Sequence, residues 1–284
     1  AAADEAHRKA GDLPVRKTQT AVTYIILTAA AVLVCFPILF SICLSFSDLN
    51  DILQGNYIPS KLDFTNYINA FNTQPLLRYM INSAVTGVLS TTLQITFALL
   101  AAYAIVFTPF RGKKIIFLIM MATMMIPGEV LVISNFQTIR SWNLLNTFPG
   151  LILPGVASTF GIFLFRQNMM QIPLELKEAS TVVGVSDFAF FIRVVAPMVK
   201  NTVVTLAIYF FLVSWNSYLW PLLSTTEDTV RTVQIGLRQL KNTEAVSDYG
   251  MMAAGAMITS LPTLLLIFFG QKRLQEGMTK GALK

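Results

Sequence analysis

The stretch RQNMMQIPLELKEASTVVGVSDFAFFIRVVAPMVK, residues 166–200, lies between long apolar runs and carries polar and turn-forming residues in a definite order. Its spacing predicts two short helices joined by a turn. Pro173 suits the first position of a helix, where a missing N–H costs nothing, and Gly184 suits the left-handed residue just past the helix end. Ser186 then reads as the N-cap of the second helix. In the first helix Leu176, Ala179 and Val183 share one side at spacing i, i+3, i+7, while Glu175 and Glu178 point elsewhere, so the element is amphipathic and wants a partner. Ala179 and Ser180 are small enough to let a neighbouring surface approach the backbone, with Glu178 free to pair with a cation there.

Working outward, the flanking composition decides the class. Residues of the set AVILMFWYC make up 54% of the 284-residue chain and charged residues 13%, with a mean hydropathy of +0.61. Those values lie far outside the ordinary globular range and point to an all-α polytopic membrane protein. Six apolar runs, 21–43, 80–107, 115–139, 148–165, 201–222 and 251–270, are read as transmembrane helices, each crossing a core of roughly 30 Å. The chain then divides into a tail at 1–20, a transmembrane domain at 21–270 and a second tail at 271–284. Run 21–43 is too long for a signal-peptide core and is read as a retained span.

Charge orients these spans. Of the 21 Lys and Arg residues, 15 fall in the two tails, the turn at 108–114 and the loop at 166–200, and 6 fall in the other three connections. The positive-inside rule places both tails and the amphipathic loop in the cytoplasm. The net charge of +6 is thereby explained by topology, and no nucleic-acid partner is expected. A lone histidine, His7 in the first tail, excludes a His-based zinc site within the chain. Cys35 and Cys43 are eight residues apart on one predicted helix, about 12 Å in rise, too far to bridge each other.

The loop also carries a resemblance. Glu178, Ala179, Ser180 and Gly184, followed by Val194, Ala196 and Pro197, resemble the pattern E-A-A-x3-G-x9-I-x-L-P, the EAA loop of ATP-binding-cassette importer permeases. Ser180 replaces the second Ala and Ala196 replaces Leu. The runs NSAVTGVLSTTLQITFALLAAYAI at 82–105 and WNSYLWPL at 215–222, with the ending 277–284, are similar to the carbohydrate branch of that family, of maltose or glycerol-3-phosphate type. The resemblance covers roughly residues 20–284. It implies a subunit of the prokaryotic cytoplasmic membrane that forms half of a translocation pathway for a carbohydrate, with glycerol 3-phosphate as the alternative solute. It further implies a second homologous permease, two ATPase subunits that bind ATP and Mg, and an extracytoplasmic solute-binding protein. By the same resemblance Glu178, Ala179, Ser180, Gly184 and Pro197 belong to the coupling loop seated in a groove of the ATPase. Gly277, Gly281 and Lys284 belong to a tail that reaches between the ATPase subunits. The chain has no G-x-x-x-x-G-K-[ST] phosphate loop, so hydrolysis is assigned to another polypeptide, and no cofactor or metal is assigned to this one.

Three residues in the spans are candidates for the pathway. Glu129 follows Pro127 and Gly128 and, on a straight helix, stands about 21 Å in rise from Ile115. A carboxylate there lines a cavity or gate; alternatively Pro127 ends the helix and Glu129 sits near water at its mouth. Asn216 and Tyr218 are suited to solute hydroxyls, while Trp215 and Trp220 read as interfacial anchors. The methionines at 120, 121, 124 and 125 read as packing residues. No Lys or Arg falls inside the six spans as drawn, which favours a neutral polyhydroxyl solute over an anion. An intramembrane enzyme finds no H-E-x-x-H, no G-x-S-x-G and no paired intramembrane carboxylates here. A secondary transporter or channel, the reading from another class, calls for inverted repeats or several ionisable residues along the pathway, and Glu129 alone qualifies.

Overall fold

The computed structural model describes residues 2–59, 61–241 and 248–279, with side chains over 19–59, 61–241 and 248–271. No strand occurs among the described residues. They fall into two compact units, within Ala1–Ala70 and Val246–Met257 for the first and within Phe71–Ala245 and Ile258–Lys284 for the second.

The first unit is built on α1 (Ala2–Ser45), with the short helices α2 (Leu49–Leu53) and α3 (Thr65–Thr73). The helical backbone runs back through residues 2–20, the tail of the sequence reading, a segment rich in the strong helix formers Ala, Lys and Arg. Asp48 caps α2 by accepting from the Leu49 N–H at 2.8 Å, and Asp63 caps α3 by accepting from Thr65 N–H at 2.9 Å. Buried Asn66 closes this unit, donating to the carbonyls of Ser45 at 3.1 Å and Ser47 at 2.8 Å. Gly250, in the opening turn of α15 (Tyr249–Thr279), leaves room for that amide, since a Cβ there would lie 2.5 Å from Asn66 Nδ2.

The second unit is organised around α4 (Leu76–Phe107), 32 residues long. Around it stand α5 (Lys113–Thr123), α6 (Val132–Ser141), α7 (Phe148–Ile152) and α8 (Thr159–Met169). Then come α9 (Leu174–Val182), α10 (Asp187–Phe190), α11 (Ala196–Met198) and α12 (Lys200–Trp215). The series ends with α13 (Leu219–Ser224), α14 (Val233–Leu240) and the later part of α15. Between helices and lipid there is no hydrophobic driving force, so association depends on close van der Waals packing. Gly161 provides it: a Cβ there would lie 3.0 Å from Ala98 Cβ and 3.1 Å from the Phe210 ring, so α8 sits tightly against α4 and α12. Phe165, Met169, Phe190, Val195 and Leu206 fill the core beside this contact.

Among the described residues three helices are long and apolar enough to cross a membrane, Gln19–Ser45, Leu76–Phe107 and Tyr249–Gln271, and three bent pairs bring the number to six if each pair is one span. The bends correct the third and fifth spans, read from hydropathy as straight; the fourth, short and carrying Pro154 and Gly155, reads as broken from the sequence as well. The third span breaks by 90° between Lys113–Thr123 and Gly128–Ser141. Pro127 is the cause, because it lacks an N–H and its ring clashes with the carbonyl four residues back; Glu129 is therefore not on a straight helix running from Ile115. Met120 packs on the core while Met124 and Met125, at the break, are exposed, so the four methionines do not act alike. The fourth span bends by 52° before α8, which Ser158 caps, and runs on to Met169, so that Arg166 joins its last turn with its guanidinium 4.1 Å from the Phe117 ring. The run 201–222 is also interrupted. α12 stops at Trp215 and α13 starts at Leu219, where Pro221 sits in its first turn.

The connection 225–232 is fastened to the first turns of α4. Tyr79 donates its hydroxyl proton to Asp228 at 2.7 Å, and Asn82 donates to the carbonyls of Thr229 at 3.1 Å and Arg231 at 2.9 Å. Ser83 accepts from the Val233 N–H at 2.8 Å, and Gly236 faces the Tyr79 ring where no Cβ would fit.

Candidate functional site

The segment 166–200 forms a helix, a tight turn and a second helix. Pro173 stands one position earlier than expected, as the extended residue before α9 with φ −57° and ψ 132°. Gly184 has φ +79°, and the N–H of Val185 returns to the Ser180 carbonyl at 2.9 Å, which closes α9. Ser186 caps α10 through the Ala189 N–H at 3.3 Å. Lys177 forms an ion pair with Asp187 across the turn, and its ammonium lies 5.0 Å from the ring of the fully buried Phe190. Tyr103, on α4, donates to the Asp187 carbonyl at 3.1 Å. These contacts hold the segment on the core from one side.

The other side of α9 is uncovered among the described residues. α9 has no buried residue; Glu178 and Ala179 are exposed, as are Leu176, Val182 and Val183, the last two at 88% and 79%. The Ser180 hydroxyl turns back on its own helix, donating to the Lys177 carbonyl at 2.7 Å, so only its small bulk is presented outward. Pro197 lies in α11, beyond a π-helical turn at Phe191–Val195, and is exposed. Gly277 falls on the backbone of α15, and Gly281 and Lys284 lie outside the described residues.

A second site lies where the broken helices meet. A cleft of about 460 Å³ is walled by α4, the turn Gly128–Leu131 and first turn of α6 beyond the break in the third span, the 3₁₀ turn Leu153–Gly155 and the interruption between α12 and α13. Interrupted backbone at membrane depth is tolerated where it lines such a cavity. Thr86, Ser90 and Gln94 line it at intervals of four along one face of α4, and Glu129 and Asn135 face it from the third span. Tyr218 and Trp220 complete the wall, the Trp220 indole donating to the Leu151 carbonyl at 3.2 Å. Of the sequence candidates, Glu129 and Tyr218 thus share the cleft and Asn216 does not, its amide donating to the Leu212 carbonyl at 2.8 Å. Trp215 is no interfacial anchor: it is buried, with its indole N–H on the Thr259 carbonyl at 3.1 Å. A buried indole needs such an acceptor.

Sequence reading had missed Thr86, Gln94, Asn135 and Thr232. Nothing but the intervals on α4 signalled them, since a lone amide or hydroxyl in an apolar run is unremarkable until its neighbours are known. The Thr86 and Thr232 hydroxyls are buried and have no partner among the described residues.

Comparison with known proteins sets both sites in context. Residues 94–280 match the family described as binding-protein-dependent transport system inner membrane component. The chain is 31% identical over 227 residues, 80% of each chain, to the arabinooligosaccharides transport system permease protein AraQ of Bacillus subtilis (strain 168). It is 30% identical over 264 residues, 90% of this chain and 94% of the other, to the sn-glycerol-3-phosphate transport system permease protein UgpE of Yersinia pestis. With the lactose transport system permease protein LacG of Rhizobium radiobacter it shares 29% over 265 residues, 93% and 96% of the two chains. In fold it resembles a chain of the crystal structure of a bacterial ABC transporter involved in the import of the acidic polysaccharide alginate. That likeness has a TM-score of 0.81 at 20% identity and covers 90% of this chain and 96% of that one.

Proposed function

We propose, from the premise that this chain belongs to the family of binding-protein-dependent transport system inner membrane components, that it forms half of the pathway of an ATP-driven carbohydrate importer. As a permease the chain crosses the membrane and works beside other subunits. The finer assignment is a second homologous permease, two ATPase subunits holding ATP and Mg, and a solute-binding protein outside. The observation that carries the coupling role is the bare face of α9, with Glu178, Ala179 and Val183 exposed on a segment whose other side is clamped to the core by Lys177, Asp187 and Tyr103. A short helix held firmly at its base and open at its face suits a groove on another subunit, and it transmits rigid-body movement. ATP-driven closure of the two ATPases would then draw the loops together and open the pathway outward.

A carbohydrate solute is supported by the names of two relatives, the arabinooligosaccharide and lactose permeases. The glycerol-3-phosphate permease supports the second reading, an anionic solute. In this reading both termini and the loop 166–200 are cytoplasmic, following the distribution of Lys and Arg.

The test is purification of the native complex in mild detergent, with Glu178→Lys beside the unaltered chain. Retention of a phosphate-loop ATPase by the unaltered chain and its loss from the fully inserted variant is the expected result. Uptake that ignores the ATPase and collapses with an uncoupler would instead mark a secondary transporter.

A further inference from the structure

The cleft beside α4 has a chemistry that neither the coupling role nor the family description assigns. Gln94 stands 18 residues into α4, about 27 Å along its axis, and so lies near mid-helix. Polar side chains at that depth are costly unless they meet one another or a cavity. Here they meet the cavity. The side chains of Gln94, Glu129 and Asn135 make no hydrogen bond among the described residues, and all three line the same cleft. Thr86 and Thr232 also border it, but their hydroxyl oxygens are shut off from its space. Three side chains from two separate parts of the chain thus hold unused hydrogen-bonding capacity around one space of about 460 Å³, within the roughly 300–1,000 Å³ usual for small-molecule sites.

The kind of ligand follows from the donor set. Carboxylate, carboxamides and hydroxyls offer both donors and acceptors, which matches a ring bearing several hydroxyl groups, each itself donor and acceptor. Tyr218 and Trp220 give the same cleft aromatic surface for the apolar C–H face of such a ring, and the Trp220 indole is held by Leu151, so its ring cannot swing freely. Glu129 is the only charged residue among those lining the cleft. With no lysine, arginine or histidine among the lining residues, its field repels an anion.

We infer that this cleft is a subsite for one ring of a neutral saccharide, held by Gln94, Glu129 and Asn135 against Trp220, and that Glu129 makes the site discriminate against acidic sugars. The inference deepens the importer reading by giving its carbohydrate a neutral class and a place in this chain.

The test uses the full chain in lipid nanodiscs with matched probes, D-glucose against D-glucuronate, D-galactose against D-galacturonate, and lactose as a neutral disaccharide. Binding is followed by saturation-transfer NMR. At least one neutral sugar should bind about tenfold more tightly than its uronate. Glu129→Gln should erase that preference and Glu129→Lys reverse it, while Trp220→Ala weakens neutral and acidic members alike. Glu129→Gln conserves size and hydrogen bonding, so its effect on the ratio is not one that misfolding imitates. Equal binding of uronate and neutral sugar, or neutral-sugar binding indifferent to Glu129 and Trp220, overturns the inference, as does the absence of any neutral-sugar signal. Retention of an ATPase is measured on the native complex separately. If it fails, the importer reading falls whatever the sugars do; if it holds and the sugar preference is absent, only the subsite falls.

Discussion

At the residue scale, Gly184 is the position where the chain has least choice. With φ at +79° and no atom within 4 Å of where a Cβ would stand, its requirement is conformational and not steric. Gly184→Ala is expected to cost about 1–2 kcal/mol of loop conformation, which would weaken retention of the ATPase by about tenfold. Gly184→Asn should recover most of that loss, since Asn tolerates the left-handed region, and quantitative co-purification measures both. Asp228 makes a different kind of prediction. The hydrogen bond from the Tyr79 hydroxyl is the largest influence on its carboxyl; burial opposes it, and with the hydrogen bond and charge of Arg231 added the carboxyl is held below the ordinary value of 3.8. Its folded value being the lower one, its contribution to stability is complete above 3.8 and is lost as pH falls from there through the folded value. Asp228→Asn should therefore lower stability slightly at pH 7, by less than about 1 kcal/mol for so exposed a side chain, read as a small fall in melting temperature. The gap between variant and parent should narrow below about pH 4.

At the scale of elements, the contact of α8 with α4 and α12 rests on the lack of a side chain at Gly161. Ala98 and the Phe210 ring stand within 3.1 Å of the position a Cβ would take, so Gly161→Val should destabilise the bundle by about 1–3 kcal/mol. Thermal unfolding in detergent measures it. Elements were also where the sequence was most and least legible. The apolar runs around 80–107 and 251–270 correspond closely to Leu76–Phe107 and Tyr249–Gln271, because length and hydropathy are all a straight span needs. Gly184 and Ser186 were readable for a similar reason, since each answers a local backbone demand. The 90° break at Pro127 was half visible, for proline announces an interruption but not its angle. The cleft was hardly visible at all. Thr86, Glu129, Tyr218 and Thr232 meet only because interrupted spans converge, and convergence over nearly 150 positions leaves no periodic trace.

At the scale of the whole molecule, the distribution of basic residues, 15 of 21 on one set of connections, makes a statement about sidedness. In a background with Cys35 and Cys43 replaced by serine, Ser186→Cys should react with an impermeant maleimide only in inside-out vesicles. Thr226→Cys, exposed on the opposite set of connections, should react only in right-side-out ones. The reverse pattern would invert the topology and leave α9 on the wrong side for an ATPase. One further consequence concerns α4. It is fastened near its first turn by Tyr79 to Asp228 and near its last by Tyr103 to the Asp187 carbonyl, 24 residues and about 36 Å away. A continuous helix is stiff along its axis, so it works as a connecting rod between two joints, one made by Tyr79, Asn82 and Ser83 and the other by the Tyr103 hydroxyl. Tyr103→Phe loosens the joint nearest α9 without removing the ring. Expected is slippage: ATP still consumed, with fewer solute molecules moved for each one.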